Sequence, residues 1–295
     1  MSVSIGSKYP GEREGQSPSS PTVPRARGQM MQISANLGFL YTELPLPDRI
    51  RAAKADGFDA VECHFPYDTP AAALRDALHE TGLRMVSLNT VPGDIAAGEF
   101  GLAALPGREA EARAAVRQAV SYGAAIGAGA VHVMSGRSQG APGAEQCFRA
   151  TLGLACDLAA AEGMSVLIEP INSRDAPGYH LSLIEAAAET LAAVGRDNLK
   201  ILFDCYHLQI MQGDLTRRFA DHLPDIGHVQ IAAVPDRGEP DGGELCYERL
   251  LKGFAQAGYA GAVGAEYRPR GGDTSAGLGW LPGLRAALAS GRLQG

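Results

Sequence analysis

Four oxygen-bearing side chains stand at or beside the ends of successive apolar runs in the second half of the chain. Glu169 closes MSVLIE (164–169), Asp204 closes LKILFD (199–204), Gln230 is followed only by Ile231 in IGHVQI (226–231), and Glu266 closes AVGAE (262–266). Three carboxylates brought close together repel unless a cation sits among them. A set made only of oxygens suits a hard ion such as Mg²⁺ or Mn²⁺ better than zinc. The spacing Asp204-Cys-Tyr-His207 sets a histidine three residues beyond one carboxylate, where it could bind a substrate or hold the aspartate. Arg237 is the one cation in the turn-rich stretch 233–244. His132 and His228 lie inside apolar runs and read as packed or hydrogen-bonded core residues; His64 follows Glu62 and receives no role. There is no H-E-x-x-H and no G-x-x-x-x-G-K-[ST], and Gly127-Ala-Gly129 precedes an apolar run, as a helix-ending turn would.

Such groups converge only if the elements that carry them are neighbours. From residue 31 onward, short apolar runs alternate with Ala-rich stretches of helical spacing. Strands are predicted at 31–37, 59–65, 84–89, 130–134, 164–169, 199–204, 226–231 and 262–266. Helices are predicted at 47–56, 70–81, 107–126, 142–162, 181–195, 207–222, 244–257 and 279–290. Helix starts such as Pro47-Asp48 and stops such as Glu162-Gly163 support the division. Eight βα units in this length predict a single (β/α)8 TIM barrel, an α/β fold, over residues 30–295. Adjacent strands lie about 4.8 Å apart, and barrel sites form at the C-terminal strand ends, so the four oxygen groups fall at one mouth. The stretch 91–109 is long for a compact domain and reads as a lid or a surface Ω-loop. Residues 1–29, rich in Ser, Pro, Gly and Arg, read as a disordered N-terminal extension, with Met30 or Met31 as alternative starts.

The chain has 295 residues, 26 Lys plus Arg and 33 Asp plus Glu, a net charge of −7. That balance provides no electrostatic footprint for nucleic acid or an anionic membrane. No run of about 18 apolar residues suggests a membrane span. Five scattered cysteines without C-x-x-C argue against a disulfide framework or a Cys-rich zinc site. With no secretory signal in the first 28 residues, a cytoplasmic protein with a small-molecule partner is expected, and a homo-oligomer is left open.

The segments 89–109, IEPINSRDAPGY (168–179), FDCYHLQIMQGDL (203–215), GHVQIAAVPDRGEP (227–240) and AEYRPRGGDTSAGLGWL (265–281) together resemble the hydroxypyruvate isomerase family of xylose-isomerase-like barrels, over roughly residues 31–285. The resemblance implies an isomerase that interconverts hydroxypyruvate and 2-hydroxy-3-oxopropanoate (tartronate semialdehyde). It implies Glu169 and Glu266 as the proton-transferring pair, a divalent cation among Glu169, Asp204, Gln230 and Glu266, and His207 and Arg237 facing a sugar-acid substrate. VHVMSG (131–136) and QIAAVPDR (230–237) are also similar to the sister 2-oxo-tetronate isomerases. Ala233 and Gly238 stand where many relatives have Asp and His, and Gln230 stands where the related epimerases have His. Those departures bear on substrate more than on reaction type, and they leave a 2-oxo-tetronate isomerase or a ketose 3-epimerase as the alternative. An endonuclease IV-type phosphodiesterase would want a His-rich zinc cluster and a basic groove. Proton transfer through an enediolate fits the carboxylates; a metal-assisted hydride shift is the rival route.

Overall fold

The computed structural model describes residues 31–290; the predicted N-terminal extension lies outside the described residues. Eight parallel strands close into a barrel in sequence order, β8 pairing with β1. They are β1 Gln32–Asn36, β2 Ala60–Cys63, β3 Arg84–Asn89, β4 Ala130–His132, β5 Ser165–Ile168, β6 Leu199–Asp204, β7 Ile226–Ile231 and β8 Ala262–Ala265. All eight fall within the predicted runs. Nine α-helices lie among the described residues: α1 Leu46–Ala55, α2 Ala71–Thr81, α3 Glu109–Ile126, α4 Ala144–Ala161, α5 Ile184–Val194, α6 Cys205–Met211, α7 Leu215–His222, α8 Tyr247–Gln256 and α9 Trp280–Ser290. The single helix expected over 207–222 is two, broken at Gly213 and Asp214, both at positive φ.

Strand alternation divides the side chains into two populations. Ile33, Val61, Val131, Val166, Ile168, Ile201, Phe203, Val229 and Val263 point outward and join the helices in the main core. Inside the barrel, Ala60, Val86 and Ala262 form one small apolar cluster, and Ala130, Leu167 and Leu202 another. Two residues beyond Ala60, Ala130, Leu167 and Leu202 stand the polar residues Glu62, His132, Glu169 and Asp204, and Gln230 faces Asp204 across the β6–β7 register.

The long segment after β3 is pinned rather than hanging free. Ala103 N donates to Met134 O (3.3 Å) and Ala104 N to Ser135 O (2.7 Å), while Gly101 bridges Ser135. This close approach needs Gly136: at φ +95°, a Cβ there would lie 2.3 Å from Gly101 O. Phe100 is thereby held in the wall of the central cavity.

Candidate active site

Asp204 ends β6 and begins α6 with no loop between. Its Oδ1 caps the helix, accepting from Tyr206 N at 2.7 Å and His207 N at 3.4 Å. This cap fixes the carboxylate and leaves Oδ2 buried without a hydrogen-bond partner. Glu169, the residue after β5, and His207, on the first turn of α6, meet it there. His207 Nε2 is 3.6 Å from both Glu169 Oε1 and Asp204 Oδ2, and ligand atoms of the three residues all lie within 4.8 Å of one another.

The tautomer of His207 follows from its other nitrogen. Nδ1 accepts from the backbone N–H of Asn172 at 3.3 Å and lies 2.6 Å from the Asn172 amide nitrogen. A neutral ring must then carry its proton on Nε2, facing the two carboxylates. Burial, with the Arg237 guanidinium beside it, lowers the ring's pKa to about 3, so it is neutral near pH 7. In this arrangement Nε2 faces the two carboxylates, with Arg237 Nη2 3.4 Å away.

Glu266, the residue after β8, is held from three sides. Its Oε2 accepts from Arg237 Nη2 at 2.8 Å; its Oε1 accepts from Asn36 Nδ2 at 3.0 Å and lies 2.8 Å from His64 Nε2. Arg237 itself is sandwiched between Phe39 and Tyr206, with ring centroids 5.0 and 4.9 Å from its guanidinium carbon. Its Nε is buried and unpartnered, and the carboxylate nearest its Nη1, that of Asp175, is 3.9 Å away.

The two glutamates are therefore electrostatically unlike. Burial, then the charges of Glu266 and Asp204, push Glu169 well above the usual carboxylate range. Burial also pushes Glu266 upward, but Arg237 and His64 outweigh it and hold Glu266 far below that range. Asp204 is raised to about 7 by burial and by Glu266. A divalent cation fits this set. Asp204 Oδ2 and Gln230 Oε1 are buried acceptors with nothing to accept from, and Glu169, clustered with Asp204 and His207, carries an electrostatic excess that positive charge would relieve. Gln230 faces Asp204 in the β6–β7 register.

A cavity of about 450 Å³ opens over these groups, with Glu169, His207, Arg237 and Glu266 in its wall. Three further arginines border it: Arg137, Arg174 and Arg268. The sequence reading singled out Arg237 alone, because the other three sit in loops whose return to the mouth leaves no local signal. Two more residues escaped it. Glu62 is buried beneath Gln230, and His64 holds Glu266. The signal for Glu62 was present: a carboxylate at an inward position of the apolar run AVEC must be paired. His132 and His228 sit in the barrel wall as expected, buried, with His132 Nδ1 3.6 Å from Glu169.

This fold and mouth place the chain in a class that the comparisons define. It belongs to the xylose isomerase-like TIM barrel family, whose profile matches residues 50–284. Within that class, curated relatives are named as isomerases. The 2-oxo-tetronate isomerase of Cupriavidus necator is 49% identical over 256 residues, spanning 85% of this chain and 98% of the relative. A putative hydroxypyruvate isomerase of Homo sapiens is 46% identical over 261 residues, spanning 85% of this chain and 94% of the relative. The crystal structure of an AP endonuclease, family 2, from Brucella melitensis superposes with a TM-score of 0.83 at 42% identity, covering 86% of this chain and 99% of that one. The chain is an isomerase of this group.

Proposed function

We propose that the protein moves a carbonyl between the second and third carbons of a short 2-oxo-3-hydroxy acid, with hydroxypyruvate as the smallest substrate and 2-hydroxy-3-oxopropanoate as its product. The observation that supports this most is the placing of two glutamates of opposite electrostatic character, Glu169 and Glu266, in the wall of one cavity. Pairs of acids driven apart in this way suit acid and base roles.

Glu266, kept ionised by Arg237 and His64, takes the proton from C3. Glu169 returns a proton to C2 of the resulting enediolate, while the hydroxyl proton on O3 passes to O2, so that C3 becomes the aldehyde and C2 the carbinol. His207 donates its Nε2–H to a substrate oxygen, and Arg237, whose Nη1 has its nearest carboxylate 3.9 Å away, receives the substrate carboxylate. A divalent cation, Mg²⁺ or Mn²⁺, held by Asp204, Gln230, Glu169 and Glu266, would supply Lewis-acid stabilisation of the enediolate oxygens and lower the raised pKa of Glu169.

A four-carbon 2-oxo-tetronate undergoes the same transfer with CH₂OH in place of one C3 hydrogen. The 49% identity to the Cupriavidus enzyme and a cavity of about 450 Å³ favour this as the second reading. The nuclease named for the Brucella protein fits less well, since the clustered metal-type ligands among the described residues include one histidine, and the net charge is −7. Incubating purified protein and Mg²⁺ with each acid, and following both isomers by NMR, tests the proposal. Interconversion of either acid supports it; none with both would reject it.

A further inference from the structure

Glu62 lies on β2, almost wholly buried and below the cavity, and accepts from four side chains of two other strands, β1 and β7. The donors are Ser34 Oγ at 2.8 Å, Asn36 Nδ2 at 3.1 Å, His228 Nε2 at 2.7 Å and Gln230 Nε2 at 2.6 Å. The fold makes room for it. Gly264 on β8 faces Gln230 in register, and a Cβ at that glycine would lie 2.4 Å from Glu62 Oε1.

A glutamine side chain is nearly symmetric in shape, and either end of its amide can face a site. Only the oxygen can hold a cation; the NH₂ end would repel it. Beside an ionised carboxylate the choice disappears, because turning the amide over would bring two acceptors together with no proton between them. We propose that Glu62 is a positioning residue: by engaging the amide nitrogen of Gln230, it obliges Gln230 to present its oxygen to the cation site. The orphaned, buried Gln230 Oε1 is the mark of that arrangement. Glu62 itself touches neither the cavity wall nor the reacting groups. Asn36 extends the same support, since its Nδ2 is shared between Glu62 Oε1 and Glu266 Oε1. This inference rests on the cation part of the function proposed above and is independent of which acid is turned over.

The test is Mn²⁺ binding to the full chain, read by calorimetry and by the electron paramagnetic resonance of free Mn²⁺, with no substrate present. Glu62→Ala should weaken Mn²⁺ by about 10–100-fold, as loss of an outer hydrogen-bond partner typically does. In a Gln230→Ala background most of that loss should vanish, because the residue through which Glu62 acts is gone. An equal loss in both backgrounds overturns the proposal, and so does an unchanged affinity in Glu62→Ala. Glu62→Gln provides an arm that survives if the alanine variant fails to fold. A Gln oxygen can still accept from Asn36 and Gln230, while Ser34 and His228 can reverse their roles. Glu62→Gln should therefore keep Mn²⁺ affinity within about three-fold, well short of the loss expected from removing the partner. A loss of ten-fold or more shows that charge, not orientation, is what Glu62 supplies. Failure of the wild-type protein to bind Mn²⁺ also overturns the proposal. Isomerase activity can fail without affecting any of these readings.

Discussion

Arg237 Nη2 and Glu266 Oε2 lie 2.8 Å apart at the mouth of the barrel, and this ion pair is what separates Glu266 from Glu169. The guanidinium cannot drift, being clamped by Phe39 and Tyr206. Arg237→Met should then do two things at once. Loss of a charge-assisted contact worth about 1.5–3 kcal/mol should raise KM for hydroxypyruvate roughly 10- to 150-fold, with much less effect on a neutral ketose if one is turned over. Freed of its partner, Glu266 should titrate at higher pH, moving the acidic limb of the kcat profile upward. Kinetics over pH 4–8 on anionic and neutral substrates check both. An unshifted limb with equal losses on the two substrates would make Arg237 a loop-shaping residue.

Glu169 gives a stability prediction with a definite sign. Its folded-state pKa is raised, so it favours the folded state below the ordinary carboxylate range and loses that contribution as pH climbs toward the raised value. His132 and His207, both lowered, act in the opposite direction below about pH 6.5, but they cancel when two variants are compared. In chelator, the Tm of Glu169→Gln minus that of the wild type should grow from pH 5 to pH 8. It should reach several degrees, at about 2–4 °C per kcal/mol for a domain of this size. A flat difference would mean that the carboxyl is not strained by its neighbours.

Adding Mg²⁺ or Mn²⁺ to chelated protein should raise Tm, since an ion bound only by the folded state stabilises it by about 2.7 kcal/mol at a hundred times Kd. Asp204→Asn should abolish most of this shift by removing the unpartnered oxygen. Activity should vanish with chelation and return with the ion. Full activity after exhaustive chelation would leave metal-free proton transfer as the surviving account.

The pinned loop after β3 can be tested through Gly136. Gly136→Ala forces a Cβ onto Gly101 O at a positive φ, at a cost of about 1–3 kcal/mol. Tm should fall by a few degrees and KM should rise, because Phe100 lines the cavity from this loop. A variant with unchanged Tm and KM would show that the contact yields easily.

These consequences separate what the sequence declares from what only folding supplies. Apolar runs of period two and helical stretches between them were enough to find every strand, since each strand packs outward on helices and inward on a barrel core. Glu169, Asp204, Gln230 and Glu266 were legible because a polar group at a strand end stands out against Val, Ile and Phe. The break at Gly213–Asp214 was visible only as residues tolerant of positive φ, in a segment whose spacing otherwise continues. The roles of Asn36, Glu62, His64 and Asn172 were hidden for another reason. Each acts through a partner between 26 and 230 positions away, and separation in sequence carries no trace of a hydrogen bond. Those partners decide which nitrogen of His207 is protonated and which end of the Gln230 amide is engaged by Glu62.

The central claim is that a proton travels between carbons by way of Glu169 and Glu266, and exchange from solvent tests it most directly. Hydroxypyruvate should be incubated in D₂O with Mg²⁺ and the wild-type protein, Glu169→Gln or Glu266→Gln, alongside a protein-free control, and followed by NMR. General acid–base catalysis contributes about 10²–10⁴-fold, so each variant should lose nearly all turnover while keeping its fold. With the wild type, deuterium should enter C2 of 2-hydroxy-3-oxopropanoate and, by reversal, C3 of hydroxypyruvate. Rapid isomerisation with no solvent deuterium in either acid would contradict the account and indicate a hydride shift, and near-native turnover in either variant would remove that glutamate from the chemistry.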